Sequence, residues 1–427
     1  MKNISKWVVL FLPVAAMIFN RDVFDVRIPV FGRTSFFMIV FFLSTPLFFI
    51  RLLKNYKMRV EKIAFQVIVS VMCLAGAILL SAMVNSLTGD ILNYSSALNS
   101  FISYSIFFLV LFFTVKTVNE LDIVDEYYRT WMIILLIINL IGFAQILAIQ
   151  KVPFFEARFK WENMRLGSGR IASTFRWQGM LVAFLGLMLP TIASNIIAAK
   201  SKRWRIYYIA NYILSVAVLF FTGSRTSLLV LPLSVAPILI ALKDRRAIKP
   251  VVASILGISV LTVYLIRSDY NAILRAFGIR SAGDRFIEKM VYGGTKGRQW
   301  IWAEAIRLWG TSPIFGIGPT QLYEYIGMHP HSSYIQVLTE EGILGFLVFL
   351  VFMVVLTRLC FKLWKMKTPD TSINLKSKGL ALGLINFMLY QFTASAIDYH
   401  FVYLFIALCM VFYGKYSVIR EKIGYNK

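Results

Sequence analysis

Histidine is the residue type in this chain best suited to moving a proton near neutral pH. Only three histidines occur among the 427 residues. His331 lies in the run MHPHSSYIQ, directly before a long apolar stretch. There it could take the proton of an attacking hydroxyl group. Glu340 and Glu341 follow along the same stretch and could orient the histidine or bind the hydroxyl-bearing molecule.

The same histidine could instead be a metal ligand. His329 and His331 form a close pair, and Asp398 and His400 could complete the set. A zinc site needs at least three protein ligands that converge on one point, and no spacing brings these four residues together. Nearby arginines already provide positive charge, so we expect no metal and no cofactor.

Three segments that lie between apolar stretches on the predicted outer face contain the arginines of interest, residues 151–177, 223–226 and 267–341. The planar guanidinium group fits a phosphate in two-point contact, which the lysine ammonium group cannot do. The candidate anion-binding residues are Arg165, Arg170, Arg176, Arg225 and Arg298. The alternative is that these arginines pair with local acids or with anionic lipid headgroups.

Arg225 lies in the turn Gly-Ser-Arg-Thr, just before an apolar stretch. A helix that begins there would present free N–H groups and partial positive charge to a diphosphate. The turn is equally consistent with a capped helix start whose arginine reaches for the membrane surface.

Membrane helices must carry these residues, because 58% of the chain is hydrophobic and the mean hydropathy is +0.70. Apolar stretches recur near the ~20 residues that a spanning helix needs. The sequence predicts an all-α integral membrane protein with about twelve spans. The predicted spans are 7–19, 34–50, 63–84, 100–115, 130–150, 178–198, 206–222, 227–242, 250–266, 342–357, 379–396 and 401–414.

Basic loops alternate along this map so that both termini are expected in the cytoplasm. The same bias explains the net charge of +24 without any nucleic-acid partner. Outer segments hold only 4 lysines but 14 arginines, an excess that membrane orientation does not require. We therefore expect the active face to be extracytoplasmic.

A single polytopic domain, residues 1–427, is predicted with two outer loops of interest. Residues 151–177 form a short basic extracytoplasmic loop. Residues 267–341 form a long loop between the ninth and tenth spans, with an amphipathic interfacial helix near residues 298–309. The predicted spans hold no Lys, Arg, Asp or Glu. This favours chemistry at the outer surface over carriage through the membrane, where transporters place ionisable residues.

The pattern resembles the bacterial O-antigen ligase and O-antigen polymerase superfamily, most clearly over residues 165–350. Ligases of that family show His-[Asn/Ser/Gln]-x9-Gly-x-x-[Gly/Thr/Tyr], which His331-Ser332 and Gly342-Ile-Leu-Gly345 match. Arg225 and Leu229 match the family's Arg-x3-Leu, and Arg170 matches the arginine before the sixth span. The run GRQWIWAEAIRLWGTSPIFGIGPTQL resembles the segment before the family histidine. Ser332 stands where Asn is frequent, which leaves the acceptor open.

The resemblance implies a metal-independent glycosyltransferase in the bacterial inner membrane that acts on undecaprenyl-diphosphate glycans. His331, Arg170 and Arg225 would be catalytic, while Arg298, Arg176, Arg165, Glu340 and Glu341 would bind substrate. The acceptor would be lipid A core for a ligase, or another lipid-linked glycan for a polymerase. A polysaccharide chain-length regulator is a candidate partner, beside the surrounding membrane lipids. A transporter of the same lipid is the less favoured alternative.

Overall fold

The fold is seen in a computed structural model of the chain. The structure describes residues 2–19, 26–28, 32–34, 36–54, 61–89, 91–149, 152–159, 171–222, 224, 230, 234 and 296–422.

Helices dominate these residues. The first six are α1 (Lys2–Met17), α2 (Phe36–Lys54), α3 (Lys62–Thr88), α4 (Tyr94–Leu121), α5 (Val124–Ile149) and α6 (Pro153–Phe159). The others are α7 (Gln178–Ala198), α8 (Lys202–Phe221), α9 (Lys296–Trp309), α10 (Gln321–Ile326), α11 (Ser333–Trp364), α12 (Thr371–Tyr390) and α13 (His400–Lys422). One small antiparallel hairpin, β1 (Val26–Ile28) with β2 (Gly32–Thr34), pairs Val26 with Thr34, and the fold is otherwise helical, as predicted.

Seven of the described helices are long and apolar enough to cross a membrane, judged by length and composition alone. They are α3, α4, α5, α7, α8, α11 and α13. Two shorter apolar helices cover Asn3–Met17 and Phe36–Ile50. The count of twelve spans stays a prediction, because the predicted span 250–266, and 227–242 apart from residues 230 and 234, lie outside the described residues.

One predicted span lies within a longer helix, and another was wrong at its end. Helix α4 continues past residue 115 to Leu121, so the helix contains Lys116, whose ammonium group lies 3.1 Å from the Glu120 carboxylate. The Lys116 side chain is only 2% exposed, so a buried ionisable pair lies within a membrane-length helix. Helix α12 ends at Tyr390 rather than at residue 396, because the Thr393 and Ala394 amides turn back onto the Tyr390 carbonyl.

The described chain divides into two compact units. The first unit comprises Met1–Trp131, Lys296–Pro369 and Phe387–Lys427, and the second comprises Met132–Thr295 and Asp370–Asn386. In the first unit, α11 packs along α3, and α4 packs against α3 and α13. In the second unit, α7 packs against α8.

The two ends of α4 define the two ends of the first unit. At the Leu121 end, the Lys415 ammonium group lies 3.0 Å from both Asp122 and Asp125. Lys6 lies 2.7 Å from Glu126 at this same end. The 28 residues of α4 span ~40 Å at 1.5 Å per residue. Just before its other end, the Leu92 amide donates to the Gln321 side-chain oxygen at 2.9 Å. Tyr323, two residues after Gln321, stacks on His329, so the His331 segment and Lys415 lie at opposite ends of the unit.

Candidate functional site

The backbone at His331 is held in a left-handed conformation. Its φ is +52°, a region that residues other than glycine seldom occupy and that often marks a functional position. Directly after it, the Ser333 amide donates to the Gln391 carbonyl at 2.9 Å, and the Ser333 hydroxyl donates to the Gln391 side-chain oxygen. These bonds tie the start of α11 to the segment before α13, while His331 itself stays exposed.

Helix α9 supports the other side of this turn. The Trp302 indole Nε1–H donates to the Pro330 carbonyl at 2.7 Å. Ile301, Ala305 and Leu308 are buried along one face of α9, because apolar residues three and four apart share a helix face. Ala305 and Leu308 belong to a core cluster with Ile317 and Leu322. The apolar face of the amphipathic helix expected at residues 298–309 thus packs against other residues of the protein. Trp300 of the same helix is exposed.

Arg298 and His329 set the electrostatics of His331. Partial burial, the positive charge of Arg298 and then His329 all lower the pKa of His331. Each effect disfavours the imidazolium form. The ring is therefore neutral at neutral pH, which is the form that can accept a proton. Arg298 lies in the first turn of α9, and the His329 ring stacks on Tyr323 at 4.8 Å between centroids.

Helix α11 is interrupted at Gly342, the glycine that ends the nine-residue spacing from Ser332. Its φ and ψ are 67° and −167°, so backbone groups on both sides lose their helical partners. The Thr339 and Glu340 carbonyls accept from the Ile317 and Gly318 amides, each at 3.0 Å. A Cβ atom at Gly342 would overlap the backbone of residues 314–316. The motif glycine is therefore required by close backbone packing.

The segment that packs against the break at Gly342 is the turn-rich run FGIGP, residues 315–319. The Ile343 amide donates to the Pro313 carbonyl at 2.9 Å. The Ser81 hydroxyl of α3 lies 2.6 Å from the Phe315 carbonyl and 2.9 Å from that of Glu340. A side chain at Gly316, where φ is +72°, would overlap Glu340. The segment before the histidine and the break in α11 thus hold each other in place.

Glu340 and Glu341 are both buried, at 4% and 6% exposure, but their carboxylates differ. Glu340 accepts hydrogen bonds from the Leu322 amide at 3.3 Å and from the Gln336 amide group at 3.1 Å. It therefore serves the local fold. The Oε2 atom of Glu341 is buried and has no hydrogen-bond partner.

A cavity of about 230 Å³ lies beside these glutamates, within the first unit. Residues of α4, the turn at Thr320, α11 and the segment before α13 line it. The Tyr104 hydroxyl donates to Asp398 Oδ1 at 2.5 Å. Asp398 is accessible from the cavity. Enclosure by the protein raises the pKa of Asp398, although the Tyr104 hydrogen bond and the His329 charge act in the opposite direction.

The α4 residues of this cavity were missed by the sequence analysis. Ser100, Ser103 and Tyr104 lie within the predicted span 100–115. Their spacing of i, i+3 and i+4 places three hydroxyl groups on one helix face. That polar stripe in an otherwise apolar segment was the available signal.

The other predicted arginines are placed less completely. Arg176 belongs to the second unit, where its guanidinium group lies over the Trp177 ring at 5.1 Å. The Gln145 side chain bonds the Ser173 amide at 2.8 Å and its carbonyl at 3.2 Å, which fixes the segment before Arg176. The predicted residues Arg165, Arg170 and Arg225 lie outside the described residues.

His400, one of the four residues considered as metal ligands, lies among aromatic rings. The His400 ring packs edge-on against Phe37 and Phe107, at 4.8 and 5.2 Å between centroids. Across the described part of the chain, no group of three or more His, Cys, Asp or Glu side chains is arranged to hold a metal ion.

The O-antigen ligase family model matches residues 210–350. This range includes the His331 turn, α9 and the break at Gly342. A comparison with curated proteins finds no match. Family members are glycosyltransferase-type enzymes, and the apolar helices of this chain suit a multi-pass membrane protein. The sequence resemblance to the O-antigen ligase and polymerase superfamily is thus confirmed over residues 210–350, the part of the chain that the family model matches.

Proposed function

We propose that this protein transfers a glycan from undecaprenyl diphosphate to an acceptor hydroxyl group, as an O-antigen ligase whose acceptor is lipid A core. The observation that carries the proposal is the turn at His331, which α9 and α11 hold in a left-handed conformation, with Arg298 in the first turn of α9. A base in a held turn, with a cation whose charge acts on it, suits a reaction that removes a proton and releases a diphosphate.

The reaction proceeds in one displacement at the anomeric carbon. The acceptor oxygen forms the new bond to this carbon as His331 takes its proton. The bond from the anomeric carbon to the diphosphate oxygen breaks, and the leaving diphosphate keeps the electron pair. Arg170, Arg225 and Arg298 stabilise that charge, so neither a metal nor a nucleotide is needed. Direct displacement inverts the anomeric configuration.

The two ends of the first unit support an extracytoplasmic site. The basic-loop pattern predicts that Lys6 and Lys415 face the cytoplasm, and both lie at the end opposite His331. The ligase assignment rests on the full histidine motif, from His331 to Gly345. Polymerisation of lipid-linked repeat units is the alternative within the same family.

The glycolipid profile of a deletion strain separates these activities. Loss of a ligase leaves bare core while polymerised donor accumulates, whereas loss of a polymerase leaves core that carries one repeat unit. Complementation with wild-type protein should restore the profile, and His331→Ala at equal expression should not. Full restoration by His331→Ala would overturn the proposal.

Purified protein in liposomes separates transfer from transport. With labelled lipid-diphosphate glycan and acceptor, a transferase forms product without any energy input. Movement of the intact donor lipid across the bilayer, with no product, would instead support a transporter.

A further inference from the structure

The polar cavity of the first unit has a composition that selects its ligand. Its lining residues are Asn99, Ser100, Ser103, Tyr104, Thr320, Gln336, Val337, Glu340, Glu341, Ile397 and Asp398. Side-chain amides and hydroxyls provide donors, and carboxylates provide acceptors. None of these lining residues is Lys or Arg. An anion such as phosphate would face the carboxylates of this described lining, which therefore suits an uncharged polar molecule better.

Two buried acceptor atoms at the cavity are left without partners. Glu341 is 6% exposed, and its Oε2 atom accepts no hydrogen bond. Gln336 donates its amide hydrogen to Glu340, and its Oε1 atom is likewise buried without a partner. An unsatisfied buried acceptor is costly, and a donor that reaches it is favoured. A ligand with several hydroxyl groups could donate a hydrogen bond to each of these two acceptor atoms.

The volume of the cavity restricts the size of the ligand. A cavity of about 230 Å³ lies below the ~300–1,000 Å³ that accommodates a drug-sized molecule, so one small ring suits it. Val337 and Ile397 provide apolar surface for the carbon face of such a ring. The carboxylates of the cavity do not form a metal-binding group with other described residues, which argues against a metal cation as the ligand.

The cavity adjoins the histidine turn. Gln336 and Val337 of its lining lie in the first two turns of α11, which begins two residues after His331, so the basic and acidic groups belong to one region of the first unit. Arg298 and the histidines form its basic side, and Asp398 with the glutamates forms its acidic side. The basic side suits the diphosphate of the donor, and the acidic side suits a hydroxyl-rich ring.

We propose that this cavity binds one uncharged sugar ring of the acceptor, with Glu341, Gln336 and Asp398 accepting hydrogen bonds from its hydroxyl groups. The proposal rests on the proposed transferase function and adds the acceptor side of its site. It assigns the α4 residues Asn99 and Ser103 to acceptor recognition.

Ser103→Leu fills the cavity with an apolar side chain, and Ser105→Leu is the matched control. Ser105 lies on the same helix, outside the cavity lining, and bonds the Phe101 carbonyl at 2.9 Å. Saturation-transfer NMR on the full-length protein in nanodiscs would use the methyl glycosides of glucose, galactose and N-acetylglucosamine as probes. At least one probe should bind wild type and Ser105→Leu, and Ser103→Leu should lose its signal. No probe binding, or equal signals in all three proteins, would overturn the proposal.

Asn99→Ala removes one amide group from an exposed position of the lining and serves if Ser103→Leu does not fold. In the transfer assay, either cavity variant should raise the acceptor KM by about tenfold, an interaction loss typical of one or two hydrogen bonds, with the donor KM unchanged. Transfer by wild type with an unchanged acceptor KM in the variants would overturn the sugar site alone. Probe binding that depends on Ser103, without any transfer by wild type, would overturn the proposed function alone.

Discussion

The indole Nε1–H of Trp302 donates a 2.7 Å hydrogen bond to the carbonyl of Pro330, the residue directly before His331. Helix α9 thereby fixes a turn whose φ at His331 is +52°. The other side of the turn is fixed by Ser333 and Gln391. Because the backbone is held on both sides of His331, the base starts from a fixed position, which favours proton transfer in a displacement.

Trp302→Phe should lower kcat without a comparable change in either KM. The variant keeps most of the ring packing and loses one hydrogen bond, so a fall of roughly threefold to tenfold is expected. The measurement is steady-state glycan transfer by purified protein, together with its pH profile. Trp300→Phe is the matched control, because Trp300 lies on the same helix and is 56% exposed. Equal kcat values for the two variants would contradict a positioning role for Trp302.

The pH dependence of transfer should reveal the influence of Arg298 on His331. The pKa of His331 lies below its ordinary value through burial, Arg298 and His329, so activity should persist into mildly acidic solution before protonation removes the base. Arg298→Gln deletes one positive charge and should raise this pKa. The acid limb of kcat/KM should therefore move to higher pH. A limb that stays in place, or moves to lower pH, would show that Arg298 does not act on His331.

Gly342→Ala should destabilise the protein strongly. The position has φ +67°, and a Cβ atom would overlap the backbone of residues 314–316. A loss of about 2–4 kcal/mol in the free energy of unfolding is expected from backbone strain and displaced packing. Thermal unfolding in detergent, followed by size-exclusion chromatography, would measure it. Gly76→Ala in α3 is the control, since a Cβ there meets nothing within 4 Å. A similar unfolding temperature for both variants would refute the packing explanation.

Arg225→Lys should keep the charge and lose the two-point fork that fits a diphosphate. We expect kcat/KM for the donor to fall on the order of 100-fold, as when one oxyanion-stabilising donor is lost. Arg158→Lys is the control, because the Arg158 guanidinium group lies over the Phe154 ring at 4.3 Å. Unchanged turnover in Arg225→Lys would argue against bidentate phosphate binding at this turn.

The membrane helices could be predicted from hydropathy, but their ends could not. The predicted span 178–198 coincides with α7, because a long apolar run admits few other structures in lipid. Helix α4 extends to Leu121 because Glu120, one turn further along, pairs with the buried Lys116. A span predicted from hydropathy ends at the first charged residue, so it cannot include a buried ion pair of this kind.

The candidate site was predictable where its residues are close in sequence. The family motif identified His331 and Gly342, and the run before it identified α9. The bonds from Ile317 and Gly318 to the Thr339 and Glu340 carbonyls join segments whose contact no local pattern predicts. The same holds for Tyr104 and Asp398, which are 294 residues apart. The cavity therefore became visible only when the fold brought α4 against α11.

The first nine residues of α11, from Ser333 to Glu341, set a fixed distance between His331 and the break at Gly342. Each helical residue adds 1.5 Å of height and about 100° of rotation, so the motif's fixed spacing sets both the height and the phase of His331 relative to the break. One inserted residue would leave Gly342 seated on FGIGP and swing the histidine by about 100°, away from Trp302 and Arg298. Length variation should therefore be tolerated in the exposed turn at residues 327–329 far better than within these nine residues.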